Sequence, residues 1–291
     1  FLAEVTPASQ KMDAVADYAR SIGLRTSLFG WGNAAFDYRT NTIPDQFSLE
    51  PDDPVALEVL EQYWDHQAEH APHFDHIVTH WADPGGCKGP ACTIESAQKL
   101  HNEIVRRCRK KNPNIQSSFS LWMLRSSRFS KWRGYKDVHT ILDSRILPAD
   151  VMLSMDGNGG KFDLGEAKAI AKAGRQVGIW GWYIADNEIR PSMHVRTNVL
   201  GSALGKLPPE AHNLIEWYSM DSNCHGLNMQ NLYVAGKLMR NPKADARAAL
   251  REFIAGAFGV ENVESVEKVF RAIERTRGYW SYKSISPAKL P

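Results

Sequence analysis

The sequence predicts an α/β protein of the TIM (β/α)8-barrel type followed by C-terminal helices. Three observations predict it. Short runs rich in β-branched and aromatic residues alternate with longer stretches of helical periodicity. Polar and aromatic residues gather where each of those runs gives way to a loop, which is where barrels of this kind carry function. No strand is followed by a Gly-rich phosphate turn, and the Gly157–Gly160 run lacks the spacing of one, so a doubly wound sheet is the runner-up.

Taken in order, residues 2–5 (LAEV) read as a short strand with Glu4 near its end, and Gln10–Gly23 as a helix stopped by its glycine. Arg25–Trp31 reads as a strand, and the proline-bearing stretch 34–54 as a loop. Pro54–His70 is helical, His76–Asp83 a strand, and Ile94–Lys111 a helix for which Thr93 and Ser96 compete as cap. Gln116–Trp122 is a strand, Lys136–Ile146 a helix, Asp150–Asp156 a strand, and Leu164–Gly174 an Ala-rich helix. Val177–Glu188 (VGIWGWYIADNE) opens as a strand and closes on paired carboxylates. Thr197–Leu207 is helical, and Asn213–Asp221 is the last strand. Helices over Asn228–Arg240, Ala244–Phe258 and Val263–Tyr279 complete the chain. The expected domains are a barrel over 1–226 and a helical segment packed on it over 227–291. Seven strands leave a barrel one short of eight, so the expectation is a first βα unit upstream of Phe1 or on another chain.

Composition narrows the function classes. A net charge of +2 argues against a polyanion binder. The basic run Arg106–Lys111 sits where cations favour a helix C-terminus and reads as a solvated helix end. No apolar run of about 18 residues exists to span a membrane. The four cysteines are few for a disulfide scaffold. Cys87 and Cys92 share one loop, and two readings stand: a Cys87–Cys92 disulfide in an exported protein, or a zinc site of Cys87, Cys92, Cys224 and His225. The expected location is secreted or periplasmic, with no signal peptide in the sequence.

The strand ends carry the chemistry. Asp186 and Glu188 lie two residues apart, so in an extended chain both face one side, beside Trp182 and Tyr183. The other strand-end carboxylates are Asp83, Asp156 and Glu216. Trp31, His80, Trp81, Trp122, Arg125, Asn187, Tyr218 and Asp221 are the candidate substrate contacts. Aromatic platforms suit the apolar faces of sugar rings, and Asp, Asn, His and Arg suit their hydroxyls. Glycoside hydrolysis needs two carboxyl groups, one to protonate the leaving oxygen and one to activate water or attack. No cofactor and no metal are expected. An oxygen-rich metal site for an isomerase or aldolase, drawn from His80 and the same carboxylates, is the second reading. A barrel that binds carbohydrate without catalysis is the third. An acidic sugar would need a cation, with Arg125 first and Arg128, Lys131, Arg133 and Arg190 behind it.

A family resemblance enters at Asn231. The segment NLYVAGKLMRNPKADARAALREFIAGAFG resembles the helices that follow the barrel in α-glucuronidases, through Tyr233, Gly236, Lys237, Leu238, Asn241, Pro242, Phe258 and Gly259. The loop HWADPGGCKGPAC is similar to Gly-Gly-Cys loops of hexosaminidase-like barrels. The resemblance implies a metal-free inverting glycosidase with an acid after the fourth barrel strand. With one strand missing, that acid is Asp83, and Asp186 and Glu188 follow the seventh. Pro84 stands where hexosaminidases carry the second member of an Asp-Glu pair, which argues against retaining chemistry assisted by an N-acetyl group.

Overall fold

The structure is a computed structural model, described for residues 2–35, 47–48, 50–81, 89–122, 124–125, 130, 132–156, 163–180, 195–207, 214–216 and 229–275. It divides into two compact units, Phe1–Asp156 with Lys168–Gly178, and Gly157–Ala167 with Ile179–Pro291.

In the first unit, strands β1 (Ser27–Trp31), β4 (His76–His80), β5 (Gln116–Ser120) and β6 (Met152–Asp156) pair in parallel. Ala34–Ala35 (β2) and Phe47–Ser48 (β3) form a small antiparallel ribbon in the stretch expected to be a loop. Strand β7 (Val177–Trp180) begins beside β6, where Leu153 N–H donates to Gln176 O at 3.2 Å. In the second unit, the end of β7 and β8 (Leu214–Glu216) are neighbours in strand order. Among the described residues strand order follows the chain without reversing, and a helix lies in the chain between each two consecutive strands of that order. A doubly wound sheet must reverse its order, so the chain has the singly wound α/β course of a TIM-type barrel, followed by C-terminal helices.

One strand was misjudged in the sequence. LAEV belongs to helix α1 (Leu2–Ser21). Four residues are too few to choose between a period of two and one of 3.6, and the Ala-, Gln- and Lys-bearing continuation favours helix. Among the described residues the larger sheet therefore has six strands. Asp83 follows the second of them, so an alignment placing it after a fourth strand requires two strands ahead of β1.

Helix boundaries follow local chemistry. Helix α2 (Pro54–His70) starts at Asp53, whose carboxylate accepts from Val55 N–H at 2.8 Å, with Pro54 at the first helical position. Helix α3 (Ile94–Lys111) is capped by Thr93, whose hydroxyl accepts from Ser96 N–H at 3.2 Å, so Thr93 is the cap and Ser96 the capped residue. Asp137 and Thr140 form a reciprocal capping box on α4 (Val138–Ser144). Gly23 (φ 85°) and Gly174 (φ 73°) take the left-handed conformation just past α1 and α5 (Leu164–Lys172).

The basic run at the end of α3 is only partly a solvated face. Arg107 turns inward to ion-pair with Asp65 at 2.6 Å, Glu103 at 2.7 Å and Glu61 at 3.3 Å, and Cys108 is fully buried. Arg106 is exposed and pairs with Glu103 within its own helix. These pairs hold the Glu103 carboxyl down at about 2, the Arg106 hydrogen bond being the largest cause.

The sheet's two faces differ. Leu28, Ile77, Phe119, Leu153 and Val177 share the face turned to the helices and are buried there with Leu60 and Trp64 of α2 and Ile104 of α3. The opposite face alternates with it and carries His76, Val78 and His80 of β4, Ser118 and Ser120 of β5, and Met152 and Ser154 of β6. All of these are buried too.

In the second unit, helices α6 (Thr197–Leu204), α7 (Met229–Arg240), α8 (Ala246–Phe258) and α9 (Val263–Arg275) follow. Glu267 of α9 is buried and paired by Arg247 and Arg251 of α8, so its charge is met twice. Tyr233 and Lys237 both bond Glu252, at 2.5 and 2.7 Å, joining α7 to α8. Tyr233 and Lys237 of the resemblance segment therefore work as helix-to-helix ties.

Candidate active site

The described part of the site lies where β1, β4 and β5 end. Residue alternation aims His80 at the non-helical face, level with Ser120 and Ser154 across the parallel ladder. His80 Nδ1 lies 3.2 Å from Ser120 Oγ, and the same oxygen accepts from Trp122 N–H at 3.3 Å. The Trp122 ring lies 4.7 Å from the imidazole at 35°, and Phe29 lies 5.5 Å away on β1. His80 is 1% exposed, and burial pushes its pKa down to about 3. The group is a neutral hydrogen-bonding ring at working pH and a poor proton acceptor. Lower on the same face, His76 meets Ser27 Oγ at 3.0 Å, its pKa lowered to about 4 by burial and then by the charge of Arg25.

Trp81 takes the other direction. Its ring is 0% exposed, stacked 5.4 Å from Phe119 and edge-on to Trp132 at 5.6 Å. Asn33 is buried at the exit of β1, and Arg125 is exposed beyond β5. Arg133, a fallback cation, gives its guanidinium to Gly89 O. Trp31 closes β1, Asp156 closes β6 and Glu216 closes β8, with their side chains outside the described residues. Asp83, Trp182, Tyr183, Asp186, Asn187, Glu188, Tyr218 and Asp221 also lie outside the described residues, as do Arg128, Lys131 and Arg190.

Cys92 is disulfide-bonded, and its partner lies outside the described residues. A disulfide sulfur is no thiolate ligand, so the zinc set containing Cys92 is corrected. Cys108 is a free thiol in the core. Among the described residues no cluster of His, Cys, Asp or Glu is arranged to hold a metal ion.

Sequence reasoning missed Ser120, Phe29 and the buried Thr79–His101 pair. Ser120 had a signal: QSSFS puts three serines into a strand otherwise destined for burial, and buried hydroxyls need partners.

No family model matches the chain, and no curated protein matches it. Among solved structures it is similar to D-psicose 3-epimerase of Clostridium cellulolyticum H10, determined with D-tagatose. That match has 10% identity and a TM-score of 0.43, over 94% of this chain and 86% of the other. An L-ribulose 3-epimerase matches at 12% identity and a TM-score of 0.45, over 94% and 84%. An endo-1,4-beta-mannanase of Eisenia fetida matches at 11% and 0.41, over 76% and 66%. At these scores neither a reaction nor a family follows, and none of the three is an α-glucuronidase or a hexosaminidase. The singly wound α/β fold thus rests on the chain's own strand order.

Proposed function

We propose that the chain is a carbohydrate-active enzyme, a glycoside hydrolase whose strand-end carboxylates act as general acid and base. The observation that carries the reading is the buried row at the ends of β4 and β5, where a neutral His80 is tied to Ser120 and faced by Trp122. A neutral imidazole suits hydrogen bonding to a sugar hydroxyl, and an aromatic ring beside it suits a sugar face. Because His80 is a poor base, proton transfer falls to carboxylates. Asp186 and Glu188 are the assigned pair, with Asp83, Asp156 and Glu216 as the remaining candidates. One carboxylic acid gives its proton to the glycosidic oxygen as the bond to the anomeric carbon breaks. The other takes a proton from the water that attacks that carbon. The finer reading is an α-glucuronidase-like exo-enzyme, in which Arg125 grips the uronate carboxylate.

Aryl glycosides test the reading. Asp186→Asn and Glu188→Gln are expected each to lower kcat by on the order of 100-fold without loss of fold. Near-normal rates in both variants would remove the pair from catalysis. Activity that is lost on chelation and regained with a divalent cation would place the chain among metal-dependent isomerases or aldolases instead. Arg125→Ala is expected to lose aryl glucuronide turnover selectively over the matched glucoside; equal losses would remove the uronide assignment.

A further inference from the structure

We propose that Thr79 and His101 are positioning residues, which fix the Trp81 indole so that its ring sets the loop exits of β1 and β4. Thr79, like Ser117, is a buried polar side chain on the sheet face that Ile77, Phe119 and Leu153 pack against helices. Its hydroxyl lies 2.7 Å from His101 Nδ1 on α3 and accepts from Trp81 Nε1–H at 2.9 Å. Thr79, Trp81 and His101 are all fully buried.

A hydroxyl has one proton to give. That proton is shared out between His101 Nδ1 and Ser118 O, the latter at 3.4 Å, and with either arrangement a lone pair is left facing the indole. The indole cannot turn without leaving its own N–H unpaired in the core. An apolar pair would fill the same space without that constraint, so the polar pair specifies orientation rather than burial. His101 stays neutral there, its pKa pushed down to about 3 by burial and then by the charges of Arg109 and His76.

The ring so held governs two chain exits. A Cβ at Gly32 would sit 2.1 Å from it, so the β1 exit lies flat against the indole. Gly32 N–H donates to His80 O at 2.8 Å, joining that exit to the end of β4. Trp132 Nε1–H donates to Trp81 O at 2.7 Å and pins the β4 exit from the other side. Asn33 is one residue beyond Gly32, and Asp83 is two beyond Trp81. A small turn of the indole would therefore displace groups at the proposed site.

The kinetic arm rests on the glycosidase reading, and the spectroscopic arm does not. The full chain is labelled to follow the Trp81 indole N–H and the Gly32 amide by NMR, in wild type, Thr79→Val, Thr79→Ser and His101→Leu. Thr79→Val and His101→Leu are expected to shift both signals and speed exchange of the indole proton, while Thr79→Ser restores them. On an accepted aryl glycoside the same two variants should lose kcat about tenfold with KM within about twofold, again restored by serine. Should Thr79→Val fail to fold, His101→Asn, which keeps a polar group near Thr79, is compared with His101→Leu in its place. Unmoved Trp81 and Gly32 signals, a serine variant that fails to restore them, or full kcat despite shifted signals would overturn the proposal. A wild type that turns over no glycoside would sink the glycosidase reading, and the Gly32 signal would still decide what Thr79 does.

Discussion

The two faces of the sheet are equally buried and differ in how much polar chemistry they hold. On the helix side Ile77, Phe119 and Leu153 make an apolar layer. On the other side His76, His80, Ser118, Ser120 and Ser154 occupy the corresponding rows of the same strands. Apolar packing is the less demanding way to fill a core, since each buried hydroxyl or ring nitrogen needs a partner. The face where buried histidines and serines predominate is therefore organised for more than cohesion. Its top row is the one that reaches the proposed site.

The contrast is broken most sharply by Phe119→Ala on the helix side. Removing that ring opens a cavity beneath Trp81 and His101, and the expected loss is about 3–5 kcal/mol in urea unfolding. A loss under about 1 kcal/mol would mean that the helix side is not the cohesive layer.

The second effect belongs to the histidines and is read against pH. His76, His80 and His101 titrate in the fold at about 4, 3 and 3, below their ordinary value of 6.5. Above 6.5 neither state is charged and pH has no leverage through them. Below it the unfolded chain takes protons that the native state refuses, so stability falls as pH drops toward about 4. The expected loss at pH 5 is on the order of 1–2 kcal/mol for each such histidine. His80→Gln should flatten the fall measured between pH 7.5 and 5. A wild-type profile that is level over this range would contradict the burial of all three.

The smallest effect sharpens the contrast best. Ser120→Ala removes the hydroxyl between His80 and Trp122 and should cost about 1 kcal/mol of stability. Turnover on an accepted substrate should fall by more than the folded fraction does. If Phe119→Ala spares the rate of the folded enzyme while Ser120→Ala lowers it, the division between the faces holds.

Much of this was legible in the sequence, for physical reasons. Strands β1, β4, β5 and β6 all fell within the runs read as strands, because turn residues and prolines bound them. Thr93 was readable as a cap because a threonine precedes an apolar-periodic run. LAEV was not, because alternation over four residues fits both periods. The direction of Trp81 was hidden for another reason. At a strand end one residue of register decides between site and helix layer, and only the pairing of His80 with Ser120 and of Trp81 with Thr79 settles it. The carboxylates Asp186 and Glu188 were picked out by spacing alone, and spacing carries no geometry of approach.

Cys108 sits on α3, on the same helix as His101, with its thiol buried and its pKa pushed up to about 12. A thiol that is neither ionised nor reachable is silent to alkylating reagents while the helix stays docked. Its labelling rate consequently clocks the opening of that helix. A covalent reporter of local breathing is thus built into the element that holds Trp81. Protection of Cys108, followed in the Thr79 and His101 variants, reads how firmly α3 is seated without any need for a substrate.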